Sequence, residues 1–140
     1  MQNPVILALV SMVFAGVTAV IAKLGLKNVS GDTGLAVRTI FVFGFVVINT
    51  LVFKHLKEFK ALTTSDVGFL ALSALTTTLS WIFYYRAVKL GEVSQVALID
   101  KASILVTLLL SFLVLKEPFT WRVALGGSLM LAGLLVLVLK

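Results

Sequence analysis

The chain has 140 residues, the length of a single domain. Hydrophobic residues make up 60% of it and charged residues 13%, against about 45–50% and about 25% in soluble domains, so the composition excludes a water-soluble globular fold and the solvent must be lipid. The net charge of +6 favours contacts with anionic lipid headgroups over nucleic acid. The chain has no cysteine, which excludes disulfides and cysteine-based metal sites.

Apolar runs of helix length predict an all-α membrane protein, a bundle of five transmembrane helices in one domain over residues 1–140. A span needs about 20 apolar residues, and two of the runs reach that length only when they are extended through Arg38 and through Asp100–Lys101. The predicted helices cover about residues 4–22, 33–53, 66–85, 93–115 and 120–139. His55 is the only histidine, and we expect neither a metal nor a cofactor.

The first helix should begin at Asn3 and Pro4, because Asn caps free N–H groups and Pro suits the first turn. The segment has no basic region before its apolar run and no clear cleavage pattern, so we expect it to be retained rather than removed as a signal peptide.

The second helix carries Arg38 within its apolar run, and Asn49 lies three turns later on the same face. Two interpretations stay open for Arg38. Its side chain either extends to the membrane interface or belongs to a polar pathway. The following segment from Lys54 to Ser65 is the most polar of the chain and predicts a solvated loop at the lipid surface.

The third helix, which should be capped at Ser65–Asp66, has a stripe of hydroxyl side chains that spans about 100° of its surface. The stripe consists of Ser73, Thr76, Thr77, Ser80 and Tyr84. Such side chains bond the carbonyls of their own helix, bond a neighbouring helix, or line a wet cavity. Trp81 and Tyr84 also fit an aromatic belt at the membrane interface, and we include Ser80, Trp81 and Tyr84 among the candidate pathway residues.

The fourth helix carries the most polar stripe in the chain, within about 80°: Asp100, Ser103, Thr107 and Ser111. Lys101 is offset by about 100° and is not expected to face Asp100 directly. Charges in a span cost several kcal/mol, roughly 2.5–3.5 on insertion scales, so they need a structural or functional reason. The candidates are an interhelical staple and a substrate or proton pathway through Asp100.

The fifth helix should be capped by Thr120 and has two rows of small residues that allow close helix packing. One row has Gly126 and Gly133, and the other includes Ser128 and Ala132. The sequence does not decide whether these rows pack within one protomer or between two.

With five helices, the basic residues outside the spans divide equally between the two membrane sides, and adding the embedded Arg38 and Lys101 gives only a weak bias of seven to five, so the positive-inside rule does not fix the orientation. The N-terminal side has Lys54, Lys57, Lys60, Lys116 and Arg122, and the other has Lys23, Lys27, Arg86, Lys89 and Lys140. A unit that inserts both ways could pair antiparallel with a second copy and form an inverted repeat around a midplane site.

Several motifs in order and at family spacing resemble the drug/metabolite transporters of the EamA type. They are Trp81-x-x-Tyr84-Tyr85-Arg86-Ala87-x-x-x-Gly91-Glu92-Val93-Ser94, Leu115-Lys116-Glu117-Pro118, Leu125-Gly126-Gly127-x-Leu129 and Ala132-Gly133. The run Ile99-Asp100-Lys101-Ala102-Ser103 is similar to the half-size bacterial and archaeal branch, which has a single five-helix repeat.

The resemblance implies a secondary active transporter in a prokaryotic inner membrane that works by alternating access, as a homodimer or as a heterodimer with another single repeat. It implies a small polar substrate such as an amino acid. Family members often carry Pro where this chain has Ile104, so a proline kink is not expected there. The spans hold one embedded acid, Asp100, and two embedded bases, Arg38 and Lys101, and this positive balance favours an anionic or zwitterionic substrate.

The alternative function is that of a non-transporting assembly partner or scaffold. We expect no enzyme, because no set of catalytic side chains appears at helical spacing.

Overall fold

The computed structural model describes residues 3–138, which form six α-helices and one 3₁₀ helix. The elements are α1 (Pro4–Gly25), α2 (Gly31–Val52), the 3₁₀ helix His55–Ala61, α3 (Thr64–Leu90), α4 (Val93–Lys101), α5 (Ser103–Leu113) and α6 (Trp121–Val138). The all-helical prediction is confirmed. The predicted end of the last helix at residue 139, and Lys140, lie outside the described residues.

Four segments within residues 3–138 are long and apolar enough to cross a membrane: Pro4–Gly25, Gly31–Val52, Thr64–Leu90 and Val93–Leu113. The last of these joins α4 and α5. Helix α6 is apolar too, but its 18 residues lie at the short end of the about 17–25 that a span needs.

The helix starts follow local capping chemistry. Asn3 accepts a hydrogen bond from the Val5 N–H at 3.0 Å, and Thr120 accepts one from the Val123 N–H at 3.3 Å, which confirms both predicted caps. Helix α3 begins earlier than predicted, because Thr63 and Asp66 cap one another's backbone N–H groups at 3.0 and 3.2 Å. Two reciprocal bonds of this kind define a helix start.

Two of the predicted boundaries differ from the structure. Helix α2 begins at Gly31, two residues before its predicted start at residue 33, because Ser30 caps it by accepting a bond from the Thr33 N–H at 3.1 Å. The predicted helix 93–115 is interrupted at Ala102 and ends at Leu113. Beyond its end Lys116 takes a left-handed conformation with φ 54°, a conformation that commonly follows a helix C-terminus.

Contacts divide the chain into two compact units, which we describe separately: the N-terminal unit up to Leu90 and the C-terminal unit from Gly91 onward. In the N-terminal unit α2 packs along α3. The side chains buried among the described residues all lie near one end of this unit, and they are Ala19, Leu26, Leu35, Tyr85 and Val88.

At this end of the N-terminal unit, two lysines join the C-terminal ends of α1 and α3. We call this region the lysine-capped end, and it consists of Lys23, Leu26, Gly31, Asp32, Arg86 and Lys89. Lys23 donates from Nζ to the carbonyl oxygen of Val88 at 2.6 Å, near the C-terminus of α3. Lys89 donates in return to the carbonyl oxygens of Leu26 and Lys27 at 2.6 and 2.9 Å. The last carbonyls of a helix lack partners within it and attract cations, so each lysine stabilises the end of the other's helix.

A close backbone approach completes the lysine-capped end. A methyl group added at Gly31 would lie 2.8 Å from the carbonyl oxygen of Tyr85 and 2.9 Å from the Arg86 nitrogen. One turn of α2 therefore rests directly on α3. Beside it Arg86 forms a bidentate pair with Asp32, at 2.8 and 2.9 Å.

In the C-terminal unit α5 packs on α6, and the contact is made at Gly127, where an added methyl group would lie 3.1 Å from Leu108 Cδ1. Added methyl groups at Gly126 and Gly133 would meet nothing within 4 Å. Close packing of α5 against α6 therefore uses Gly127, which lies outside the two rows of small residues that were predicted to pack. A role for Gly126, Gly133, Ser128 and Ala132 between protomers stays a prediction.

The approach at Gly31 predicts that Gly31→Ala lowers the stability of the protein by about 1–3 kcal/mol, the usual cost of overpacking. Gly44→Ala in the same helix is the matched control, because its new methyl group meets nothing within 4 Å. Melting temperatures of both purified variants in detergent test this expectation. Equal melting temperatures would show that the backbone contact does not hold α2 to α3.

The reciprocal lysine contacts predict that Lys89→Met lowers the free energy of unfolding by about 1–3 kcal/mol, because two helix-end carbonyls lose a charged donor. Lys57→Met removes the same charge from the exposed 3₁₀ helix, and we expect it to change the free energy of unfolding little. Unfolding of the two variants in the same detergent is the measurement. A similar loss in both would mean that total charge, and not the caps, controls the stability.

Candidate functional site

The guanidinium of Arg38 lies against two aromatic rings of α3. Its Cζ atom is 4.5 Å from the ring centroid of Trp81 and 5.9 Å from that of Tyr85. Both distances fall within the about 6 Å of a cation–π contact. We call these three residues the arginine box. The structure thus brings together two predicted site residues, Arg38 and Trp81, and adds Tyr85.

Two polar atoms of the arginine box are buried and lack a hydrogen-bond partner. They are Nη1 of Arg38 and the hydroxyl oxygen of Tyr85. Tyr85 as a whole is only 5% exposed. A buried polar atom without a partner costs about 1–3 kcal/mol, and such atoms are uncommon in folded proteins. The arginine box is therefore the part of the N-terminal unit where additional hydrogen bonds would stabilise the protein most.

Two cavities flank the arginine box. One, of about 610 Å³, is lined by Arg38 and Tyr85 together with residues of α1, α2 and the loop between them. The other, of about 530 Å³, lies between α2 and α3 and is lined by Trp81, Thr39 and the Asp32–Arg86 pair. Both volumes are in the range of about 300–1,000 Å³ that small-molecule sites occupy.

The other candidates in the N-terminal unit lie apart from this group. Ser80 and Asn49 are exposed, and Asn49 is eleven residues beyond Arg38 on α2. The Tyr84 ring meets that of Tyr85 edge-on, with centroids 6.1 Å apart. Tyr84 is thus a neighbour of the arginine box, although it does not line either cavity.

In the C-terminal unit the predicted charged pair lies at a helix break. Lys101 Nζ is 3.6 Å from Asp100 Oδ2, so the expectation that the two side chains would not meet is wrong. Helix α4 ends at Lys101, and α5 begins at Ser103. The Ala102 N–H donates to the carbonyl oxygen of Ile99 at 3.0 Å, three residues back instead of four.

The threonine hydroxyls of the predicted stripes donate to carbonyl oxygens of their own helices. Thr107 donates to the Ser103 carbonyl oxygen at 3.2 Å, and Thr76 and Thr77 donate to that of Ser73 at 2.9 and 2.8 Å. Ser128 of α6 follows the same pattern with Ala124. The first of the predicted alternatives therefore describes these groups, and their proton donors are already used. The pathway role of Ser103, Thr107 and Ser111 stays a prediction.

Within residues 3–138 no group of three or more His, Cys, Asp or Glu side chains is placed to hold a metal ion. The polar chemistry of the described residues is that of an arginine beside aromatic rings and of an ion pair beside a helix break.

Sequence reasoning missed Tyr85, the Asp32–Arg86 pair and the two lysine caps. A signal for Tyr85 was present, since Trp81 and Tyr85 are four residues apart and therefore share a helix face. The lysine caps join residues more than 60 positions apart, such as Lys23 and Val88 at a separation of 65. No local pattern marks contacts of that kind.

Comparisons with known proteins agree with this architecture. The EamA-like transporter family matches residues 2–139. A protein of Sinorhizobium sp., named an uncharacterized transporter in the cobO 3′ region, is 36% identical over 130 residues, which cover 93% of this chain and 92% of that protein. No solved structure matches the chain. With a family match over nearly its whole length and several helices long enough to span a membrane, the chain is a multi-pass membrane protein that belongs to the EamA-like transporter family.

Proposed function

We propose that the protein is a secondary active transporter that moves a small polar metabolite, such as an amino acid or related solute, across a prokaryotic inner membrane by alternating access. The observation that carries this proposal is the helix break at Ala102, which lies beside the Asp100–Lys101 pair within a candidate span of a transporter-family chain. The break and the ion pair together give that span the features of a transport helix.

Discontinuous helices are a recurrent feature of transporter sites. Where a helix is interrupted in the membrane, backbone groups leave the regular ladder and become available to solutes and ions, and this is tolerated only where protein or a watery cavity surrounds them. The short turn around Ala102 has two bonds of the tighter kind, from Ala102 to Ile99 at 3.0 Å and from Leu105 to Ala102 at 2.9 Å. Such stretches within a helix often mark hinges.

The proposed repeat has five spans. These are α1, α2, α3, an interrupted span formed by α4 and α5 together, and α6. A described length of 18 residues corresponds to about 27 Å of helix, close to the about 30 Å of the hydrocarbon core. In this arrangement the whole chain is one EamA-type domain with its two termini on opposite sides.

The proposed working form is a dimer of these repeats, formed by two copies in antiparallel orientation or by one copy with another single repeat. The exposed half of α3 supports pairing, because Ser73 and Ser80 are exposed within the N-terminal unit. Polar side chains that face lipid are costly, whereas a partner protomer or a watery cavity between two protomers would accept them. The balanced distribution of basic residues supports insertion in both orientations.

If Asp100 couples transport to protons, Asp100→Asn should abolish the dependence of uptake on a pH gradient in proteoliposomes. The amide has nearly the same shape but cannot ionise, so binding of the solute would persist while the driving force is lost. Glu117→Asn, a change in the exposed turn after α5, is the control and should retain the pH response. Uptake by Asp100→Asn with an unchanged pH response would remove Asp100 from the coupling step.

Antiparallel pairing predicts that the loops at both ends of the helices are accessible from both sides of the membrane. The chain has no cysteine, so Lys27→Cys and Lys57→Cys give clean single labels on opposite sides. In intact cells an impermeant maleimide should label about half of each variant, with the remainder labelled only after lysis. Labelling of one variant alone before lysis would establish a single orientation and exclude the antiparallel dimer.

A further inference from the structure

Arg38 carries a positive charge that no carboxylate of the N-terminal unit, as described, neutralises. The ion pairs formed within residues 3–138 join His55 to Glu58, Arg86 to Asp32 and Lys101 to Asp100. Asp32, which lines the cavity of about 530 Å³ between α2 and α3, binds Arg86 through both of its carboxylate oxygens. A charged group within a span is normally paired, so the partner of Arg38 must come from elsewhere.

We propose that Arg38 and Tyr85 bind the carboxylate group of a small solute whose remaining atoms are mainly apolar. This assignment rests on the proposed transport function and gives the substrate its chemical class. The guanidinium offers five N–H donors in a planar fork that matches a carboxylate. The Tyr85 hydroxyl supplies one more donor, and both groups have a buried atom without a partner.

The aromatic ring of Trp81 determines how the solute can approach. Because Arg38 Cζ lies over the Trp81 ring, 4.5 Å from its centroid, the ring blocks the approach of a solute from that side, and the N–H groups away from the ring are the ones left for an anion. These donors lie in the plane of the guanidinium, which is the geometry of a two-point contact with a carboxylate. Trp81 is thus a positioning residue for Arg38.

The cavity beside Arg38 and Tyr85 determines the rest of the solute. Its volume is about 610 Å³, and it is lined mainly by apolar side chains, including Ile21, Leu26, Val37 and Phe41, with hydroxyls only at Thr18 and Thr33 beside the tyrosine. Thr18 already donates to the Phe14 carbonyl oxygen at 2.7 Å. No acidic side chain lines this cavity, so the cavity suits a carboxylate with an aliphatic or aromatic body and gives a cationic solute no counter-charge.

The test compares carboxylates with neutral molecules of the same shape. Isovalerate and benzoate are titrated into the full-length protein in detergent, and binding is measured by calorimetry and by the shift in melting temperature. Isovaleramide and benzamide are the matched neutral probes without a carboxylate. We expect at least one carboxylate to bind at least ten-fold more tightly than its amide. Equal binding within each pair, or no binding of any carboxylate, would overturn the assignment.

Two variants connect the binding to the named side chains. Arg38→Lys keeps the charge but loses the fork, and Tyr85→Phe loses one donor, so each should weaken carboxylate binding about ten-fold or more. Tyr85→Phe should at the same time leave the melting temperature of the ligand-free protein unchanged or raise it, because it removes a buried hydroxyl that has no partner. A merely structural tyrosine would lower it. Arg122→Lys, an exposed arginine of the C-terminal unit, should change neither quantity.

A membrane-borne carboxylate is the competing source of the same chemistry. Oleate is therefore tested in the same detergent, and the soluble probes are tested again in phosphatidylcholine nanodiscs. Binding of a soluble carboxylate in both media supports a solute site, whereas binding of oleate alone overturns it.

Failure of this inference and failure of the transport proposal give different results. Binding of a soluble carboxylate that depends on Arg38 and Tyr85, without uptake into proteoliposomes, would confirm the site and contradict the carrier. Uptake of another solute that is insensitive to Arg38→Lys and Tyr85→Phe, with no carboxylate bound, would support the carrier and overturn the site.

Discussion

The structure of the N-terminal unit depends on satisfying the ends of its helices without water. In lipid each free carbonyl needs a donor from the protein, and the C-termini of α1 and α3 obtain theirs from each other through Lys23 and Lys89. This exchange brings the two ends together, and Gly31 then lets α2 approach the backbone at Tyr85. From that contact α2 and α3 run antiparallel, and Arg38, two turns along α2, reaches Trp81. The arginine box therefore follows from the helix-end contacts.

The sequence predicted the elements well where a local physical signal exists. Membrane-length apolar runs gave the long helices, and Asn3 and Thr120 gave two of the caps. The interruption at Ala102 carries no such signal, because alanine is the strongest helix former and neither Pro nor Gly is present there. Gly31 serves for close packing of α2 against α3, a contact between distant parts of the chain that no local pattern marks. For the site, the sequence selected Arg38 and Trp81 but chose Tyr84 in place of the buried Tyr85.

Hydroxyl stripes and charged groups differ in what they reveal about a membrane helix. A threonine can satisfy its proton within its own helix, as Thr77 and Thr107 do, so a stripe of such residues is compatible with lipid, with a neighbouring helix or with water. An arginine has only donors, and its several N–H groups exceed what helix carbonyls supply. The unpartnered Nη1 atom of Arg38 is consequently a stronger indication of a ligand than the hydroxyl stripe of α3.

The exposed apolar surfaces and the exposed hydroxyl surface of the helices differ in whether they need a protein partner. Phe43 and Phe69 are 71% and 73% exposed, but lipid tails are as apolar as these side chains, so such exposure gives no driving force for helix association. The exposed Ser73 and Ser80, by contrast, present oxygen atoms to a medium without donors unless protein or water covers them. Pairing of two repeats would therefore be directed by the hydroxyl face of α3 rather than by its phenylalanines. The apolar faces would remain in contact with lipid, which leaves the polar groups to define where the two copies meet.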